Sequence, residues 1–457
     1  MVHEPELPHI EEFPIEPGTE LPGKLWIGRG RRIVHLVTGF AIGQGAAQAL
    51  MLLAGIFLVR HLSTESYAQL GIAIGFQTMF TTLMDLGIAA TVVPLVGDRR
   101  DDRALVGRYV RAAKHLRDRS FYVLAPVAAV GFFALVHRHH WPMALQLTLL
   151  LSTLVTLYSS GKVSYFSAVL FLHGRLRSYY ALQVLTGALR LGSYAVLAFA
   201  GWLNAWVAAA IAAAAILFTA EQYGEKARRL MDWPQHDDPA TDREVFRYIL
   251  PAAPAMIFAA FQAQLTLFLI SIFGGKTAYI AQVAALGRIG QVFTVLTTFN
   301  LIVVEPFVAR LNRQRLLSTY LLFTGVACAA LSPVVYAAFR WPGAFLWLIG
   351  PKYSDLHGVL GWVILAATIN YLASLLWLMN RGRKWLFWSG SLVEIGLLMT
   401  VQLALIIMVG VRTTYDAVML TLAASVCMLL AHLYVAVLGF SGKERKRAGS
   451  PVNPAAA

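Results

Sequence analysis

Long, evenly apolar runs divide this chain, and short polar or charged segments separate them. Twelve runs come near the roughly 20 residues that cross the hydrocarbon of a bilayer: 33–59, 68–96, 120–136, 143–171, 179–200, 202–220, 249–273, 279–304, 316–339, 356–378, 385–409 and 415–439, the third being the shortest. A bilayer offers no water to satisfy a backbone, so runs of this kind must be helices.

The runs fall six and six about residues 221–248, a polar segment of mixed charge with two prolines. A shift of 212 positions sets Tyr67 on Tyr279, Gly75 on Gly287 and Pro94 on Pro306 without a gap, and lays spans 1 and 2 on spans 7 and 8. Six spans between equivalents make a parallel repeat, related by an axis along the membrane normal. The expected fold is therefore an all-α polytopic membrane protein, twelve transmembrane helices in two six-helix bundles around a central cavity. Its parts are a disordered tail (1–32), an N-lobe (33–220), a linker (221–248), a C-lobe (249–439) and a second tail (440–457).

Composition supports the membrane reading: 14% of residues are charged, against about 25% in soluble domains. The net charge of +14 would suggest nucleic acid in a soluble protein, but the distribution of the cations explains it otherwise. With a cytoplasmic N-terminus, 29 Lys and Arg lie in inner segments and six in outer ones (Arg60, Arg138, Lys276, Arg340, Lys352, Arg412). The positive-inside rule then places both termini in the cytoplasm. The first 23 residues carry six Glu, five Pro and no Lys or Arg, without the charged and apolar regions of a secretory signal, so a cytoplasmic tail is expected there. Cys328 and Cys427 fall inside spans and form no CxxC pair, so neither a disulfide framework nor a zinc site is expected.

Polar residues inside the runs are the candidate chemistry. Arg288, Arg190 and Lys162 are cations at span depth, where a charge costs about 2.5–3.5 kcal/mol on insertion scales and so faces a cavity or a partner. Asp85 and Glu394 are the counterparts, for ion coupling or for charge pairing with those cations. Arg288, Gln291, Thr294, Thr298 and Glu305 would share about 120° of one helix. Thr78, Thr81, Thr82 and Asp85 stripe the second helix, and Gln44 and Gln48 sit one turn apart on the first. The cationic excess suits a pyrophosphate or acidic sugar, which the planar guanidinium fork binds bidentately. The substrate-binding candidates are Arg288, Arg190, Lys162, Gln291, Gln44 and Gln48; Asp85, Glu394 and Glu305 are the ion-coupling or charge-pair set. No metal site is expected: HRHH at 137–140 lies in a short turn without a carboxylate nearby. GFAIGQG at 39–45 reads as close helix packing rather than nucleotide binding, and 97–119 as an amphipathic segment on the anionic leaflet.

The segment FLVRHLSTESYAQLGIAIGFQTMFTTLMDLGIAATVVPLV, 57–96, resembles the start of bacterial polysaccharide flippases of the multidrug/oligosaccharidyl-lipid/polysaccharide exporter superfamily. The matching elements are Arg60, Leu62, Ser63, Glu65 and Tyr67 in the turn between the first two helices, then Asp85-Leu86-Gly87. LIGPKYSDLHGVLGWV at 348–363 is similar to the Gly-x-x-Tyr turn before the tenth helix. The resemblance implies flipping of undecaprenyl-pyrophosphate-linked oligosaccharide across the bacterial inner membrane for surface or exopolysaccharide synthesis. It also implies membrane lipids, a polysaccharide polymerase and glycosyltransferases as partners, no nucleic acid, and no cofactor beyond coupling to Na+, H+ or the membrane potential. Other transporters compete, namely a cation-coupled drug or small-molecule exporter of that superfamily, or a major-facilitator protein, whose loop between helices 2 and 3 GDRRDDR partly matches. An enzyme such as a polysaccharide polymerase or ligase fits less well, because the outer loops are too short for a catalytic domain and show no paired carboxylates.

Overall fold

The computed structural model describes residues 43–441, apart from 98, 138, 235, 237, 251, 252, 275, 301–303, 310, 312, 384 and 386. The first tail, residues 33–42 of the first span and 442–457 of the second tail lie outside the described residues, as do the side chains of Pro94, Pro306 and Thr298, while 440 and 441 belong to the last helix. The fold is all-α, with no strand among the described residues, in two helical bundles. The N-lobe holds α1 (Gly43–His61), α2 (Thr64–Asp85), α3 (Arg103–His137), α4 (Met143–Leu172), α5 (Leu176–Phe199) and α6 (Ala205–Arg228). The C-lobe holds α7 (Ala253–Phe273), α8 in two pieces (α8a, Thr277–Gly290; α8b, Val292–Phe299), α9 (Arg313–Arg340), α10 (His357–Gly382), α11 (Trp388–Met408) and α12 (Thr414–Ser441). The same pairs dominate the packing of each half: α4 on α6 and α3 on α4, then α10 on α12 and α9 on α10.

Among the described residues ten helices are long and apolar enough to cross a membrane. The two that fall short are α2 and α8, the second helix of each half. Glutamine, threonine and the terminal carboxylates dilute α2, and α8 is cut at Gln291 into pieces of 14 and eight residues. Neither runs the full length expected of it. Helix α2 ends at Asp85, where Leu86 (φ 40°) and Gly87 (φ 75°) turn left-handed, and a short helix, Val92–Val96, follows. Glycine tolerates that conformation; leucine rarely adopts it. In the second half the short helix Glu305–Ala309 occupies the corresponding place.

The segment 97–119 is corrected more strongly. From Arg103 it is already α3, a helix of 35 residues, about 52 Å long against a hydrocarbon core of about 30 Å. Its apolar face does not lie on a leaflet. Leu105, Val106, Tyr109 and Val110 are buried in the protein with Val92, Val96, Met231 and Val245. Residues 221–248 are equally structured: α6 runs on to Arg228, and a linker helix, Pro239–Ile249, begins at Asp238, whose carboxylate accepts from the Ala240 N–H. That helix docks on α3 through His115–Asp242 (2.6 Å) and Tyr109–Glu244 (3.0 Å). Arg103 reaches Asp232 at 3.3 Å, and Gly107 lies so near the Asp232 carbonyl that a Cβ there would sit 1.9 Å from the oxygen.

The lobes share an apolar core at one end only, although α7 also touches the foot of α2, where Met256 meets Gly87. The largest buried cluster crosses between them at the end opposite the linker, joining Leu58, Leu62, Tyr67 and Ile72 to Ile280, Leu286, Ile349 and Tyr353. Towards the linker end the apolar core is divided, Val106, Val169 and Tyr223 belonging to the N-lobe, and Val308, Leu316 and Met379 to the C-lobe. Helix α2 supplies most of the seam, packed on α7 and α8a. Gly71 faces the Ala284 methyl and Gly75 faces Leu267, where a Cβ would sit 3.0 Å and 2.6 Å from them.

Candidate functional site

The turn between α1 and α2 is built to hold this seam. Ser63 caps α2 by accepting from the Ser66 N–H at 3.1 Å, which satisfies one of the orphan donors of a helix start. Capping fixes the direction of the first turn and sends Tyr67, 1% exposed, into the interface. There its hydroxyl accepts from Arg288 Nε at 3.2 Å. Helical side chains tilt toward the N-terminus of their helix, so Arg288 points up α8a to the closed end. It passes Gly55 of α1, where a Cβ would sit 3.2 Å from its Cδ.

Arg288 therefore reaches from the C-lobe to α1 and α2 of the N-lobe at their shared end. Its Nη1 donates to Gln291 Oε1 at 3.3 Å, the residue at which α8 breaks. Two long bonds use two of the five N–H donors of a guanidinium, and no carboxylate pairs with it among the described residues. Asp85, weighed above as its partner, lies 18 residues down α2 from Tyr67, about 27 Å along the axis. The expected polar stripe on α8 stops at Gln291, because the helix does not continue in phase to Glu305.

A second polar group lies near the linker end. Thr81, Thr82, Asp85, Arg117, Ser160, Ser164 and Ser167 line a cavity of about 390 Å³ in the N-lobe, which Met256 of α7 closes on one side. Arg117 is 3% exposed, on α3, and donates from Nη2 to the Leu157 carbonyl at 3.0 Å. Its chain passes close to Gly161, where a Cβ would lie 3.0 Å from Arg117 Cγ and would press on the guanidinium stem. Arg117 Nε and Asp85 Oδ1 are both buried with no hydrogen-bond partner. A guanidinium and a carboxylate thus face one cavity with a free polar atom each. Sequence reasoning missed Arg117 because it assigned the residue to a surface segment. The signal was the short third run, 120–136: 17 apolar residues are too few for a span, so the helix had to begin earlier.

The remaining candidates are dispersed. Lys162 on α4 pairs with Glu221 on α6 at 2.7 Å and lies over the Tyr158 ring; it does not line the cavity. Arg190 donates to Tyr194 on its own helix at 2.8 Å, and that hydroxyl donates to the Ala208 carbonyl. Glu305 is held bidentately by Arg381, which also covers Trp377. Glu394 has no ion-pair partner among the described residues, and neither Arg190 nor Arg288 approaches it. Gln44 and Gln48 are half-buried on α1, whose Gly43 packs against the Tyr180 ring. No group of three metal-ligating side chains exists among the described residues; His139 of HRHH bonds Ser271 across the seam at 3.1 Å.

No protein-family model matches the sequence, and no curated protein matches it. Solved structures do. A multidrug resistance MATE family transporter of the MOP superfamily, in an inward-facing conformation, superposes with a TM-score of 0.65 at 14% identity, over 88% of this chain and 96% of that one. The lipid II flippase MurJ, in an inward closed conformation, gives 0.66 at 12% identity over 88% and 89%. A MATE family transporter in an outward-facing conformation gives 0.58 at 15% over 91% and 95%. This chain has the two-bundle helical fold that these transporters and that flippase share.

Proposed function

We propose that the protein is a flippase that carries an undecaprenyl-pyrophosphate-linked oligosaccharide across the bacterial inner membrane by alternating access, with both termini cytoplasmic. The observation that carries this reading is Arg288, a cation between the lobes with free N–H donors and, among the described residues, no carboxylate partner. The anionic head enters between the separate cores at the linker end, passes the cavity of Asp85 and Arg117, and reaches Arg288. The lipid tail stays in the bilayer beside the lobes. Rocking of the lobes then opens the other end. With the cell interior negative, each net negative charge moved outward gains about 2.3 kcal/mol per 100 mV, so the potential itself assists export.

The test is surface-polysaccharide staining of a null strain complemented with each variant, normalised to folded protein in the membrane. Arg288→Ala is expected to lower staining at least about thirtyfold, since removing one side of a desolvated charged contact costs about 2–5 kcal/mol. Arg288→Lys keeps the charge, loses the fork and retains part of the activity. Normal staining for Arg288→Ala refutes the reading. A second reading, export of a cationic small molecule, draws on the free Oδ1 of Asp85. It predicts that Asp85→Asn removes resistance to cationic drugs while staining stays intact.

A further inference from the structure

The lobes are joined at the end opposite the linker by two cations that the transport reading leaves unused. Arg60, at the end of α1, donates from Nε to the Leu348 carbonyl at 3.0 Å and from Nη2 to the Trp347 carbonyl, and its guanidinium lies 4.9 Å from the centre of the Trp347 ring. Both carbonyls belong to the last turn of the short helix Pro342–Ile349 in the C-lobe. In return Lys352 of the C-lobe donates to the carbonyls of Arg60 (2.9 Å) and Leu62 (2.7 Å), at the end of α1 in the N-lobe. The last carbonyls of a helix have no partner within it and carry partial negative charge. Each lobe therefore places one cation on the open carbonyl end of a helix in the other.

Local structure supports this exchange. Gly350 (φ 100°) turns the chain between the two sets of contacts, and a Cβ there would lie 3.2 Å from Arg60 Cγ. The adjoining 3₁₀ segment, Pro351–Leu356, is anchored by Tyr353, 1% exposed in the shared core. The acceptors are carbonyls, so no carboxylate has to be desolvated to make the contact, and parting the lobes returns the carbonyls and the cations to water.

We infer that Arg60 and Lys352 form a reciprocal cation-to-carbonyl latch that holds the lobes shut at the end opposite the linker, and that release of this latch is what lets the protein open there. The latch belongs to the transport cycle whatever the cargo.

A cysteine-free chain (Cys328→Ser, Cys427→Ala) with Thr78→Cys as reporter tests it, since Thr78 is exposed on α2 below the seam. The full-length protein is placed in vesicles of known sidedness, and a membrane-impermeant maleimide is added from each face. The parent is expected to react from the linker face. Arg60→Ala with Lys352→Ala is expected to react at least about tenfold faster than the parent from the opposite face, because several charge-assisted hydrogen bonds are lost. Unchanged labelling from that face, in a double variant that is folded and inserted, overturns the latch. Should the double variant not fold, Lys352→Met leaves Arg60 seated and must still give a rise of several-fold; no rise there overturns the inference equally. The labelling does not depend on what is carried, so it can fail while the flippase reading stands, and the converse also holds.

Discussion

At one position of the repeat the two lobes carry opposite chemistry. The shift of 212 places Phe76 of α2 on Arg288 of α8a. Phe76 is 6% exposed and meets Phe132 (5.4 Å) and Phe268 (5.1 Å) edge to face, with Phe80 stacked beside it. Arg288 is half-exposed and held by two long hydrogen bonds. The glycines just before them differ too: Gly75 is pressed against Leu267, whereas Gly287 has nothing within 4 Å of its absent Cβ. The N-lobe copy is seam and the C-lobe copy is lining. One helical pattern, used twice, gives packing in one half and an open polar wall in the other, so the repeat accounts for the fold and its asymmetry for the site.

The contrast breaks most visibly if stability and transport fail to separate. Phe76→Ala is expected to destabilise the folded protein by about 3–5 kcal/mol, read as thermal unfolding in detergent. Arg288→Ala should change stability by only about 1 kcal/mol while removing transport. Equal destabilisation by both would make Arg288 a packing residue. Next in size come the glycines. Gly75→Ala forces Leu267 aside and should cost about 1–3 kcal/mol; Gly287→Ala enters open space in a helix and should gain about 0.5–1 kcal/mol. Matching effects would erase the distinction between seam and lining.

A smaller change sharpens the comparison at the contact between the halves. Tyr67→Phe removes the acceptor of Arg288 Nε without touching the charge. Loss of about 1 kcal/mol of orientation should lower flipping of a fluorescent lipid-linked oligosaccharide in proteoliposomes several-fold, and leave folded yield unchanged. The smallest effect is expected at Lys162. Its partner Glu221 is 57% exposed, and pairs that open to solvent contribute about 0.2–1 kcal/mol. Lys162→Met with Glu221→Gln should therefore transport at nearly the parent rate; a large loss would return Lys162 to the substrate path.

The helices were legible in the sequence because apolar length is a strong signal; what happens inside and at the ends of them was not. Asp85-Leu86-Gly87 stood in the middle of an apolar run, yet two left-handed residues end α2 there. The break at Gln291 follows directly on Gly290, the last residue of α8a, a local signal that the unbroken apolar run concealed. Apolar runs measure where the hydrocarbon is, and helices continue past it. That is why α6 carries Glu221 to Lys162, and why α3 carries Arg117 to the cavity of Asp85. Arg288 was legible as a charge at span depth, but its partner was not. The tyrosine beside it is 221 residues away in the chain, and no spacing rule reaches across two lobes.

The docking of the linker on α3 changes how the halves can be geared. A free tether of some thirty residues would be a leash, letting either lobe turn as it pleased. Here the chain is clamped to the N-lobe as far as Ile249, and α7 begins at Ala253. Four peptide steps, at most about 14 Å of chain, are left to join the lobes. A connection that short keeps the start of α7 close to the end of the linker helix, so the two lobes cannot drift apart at the linker face beyond that length.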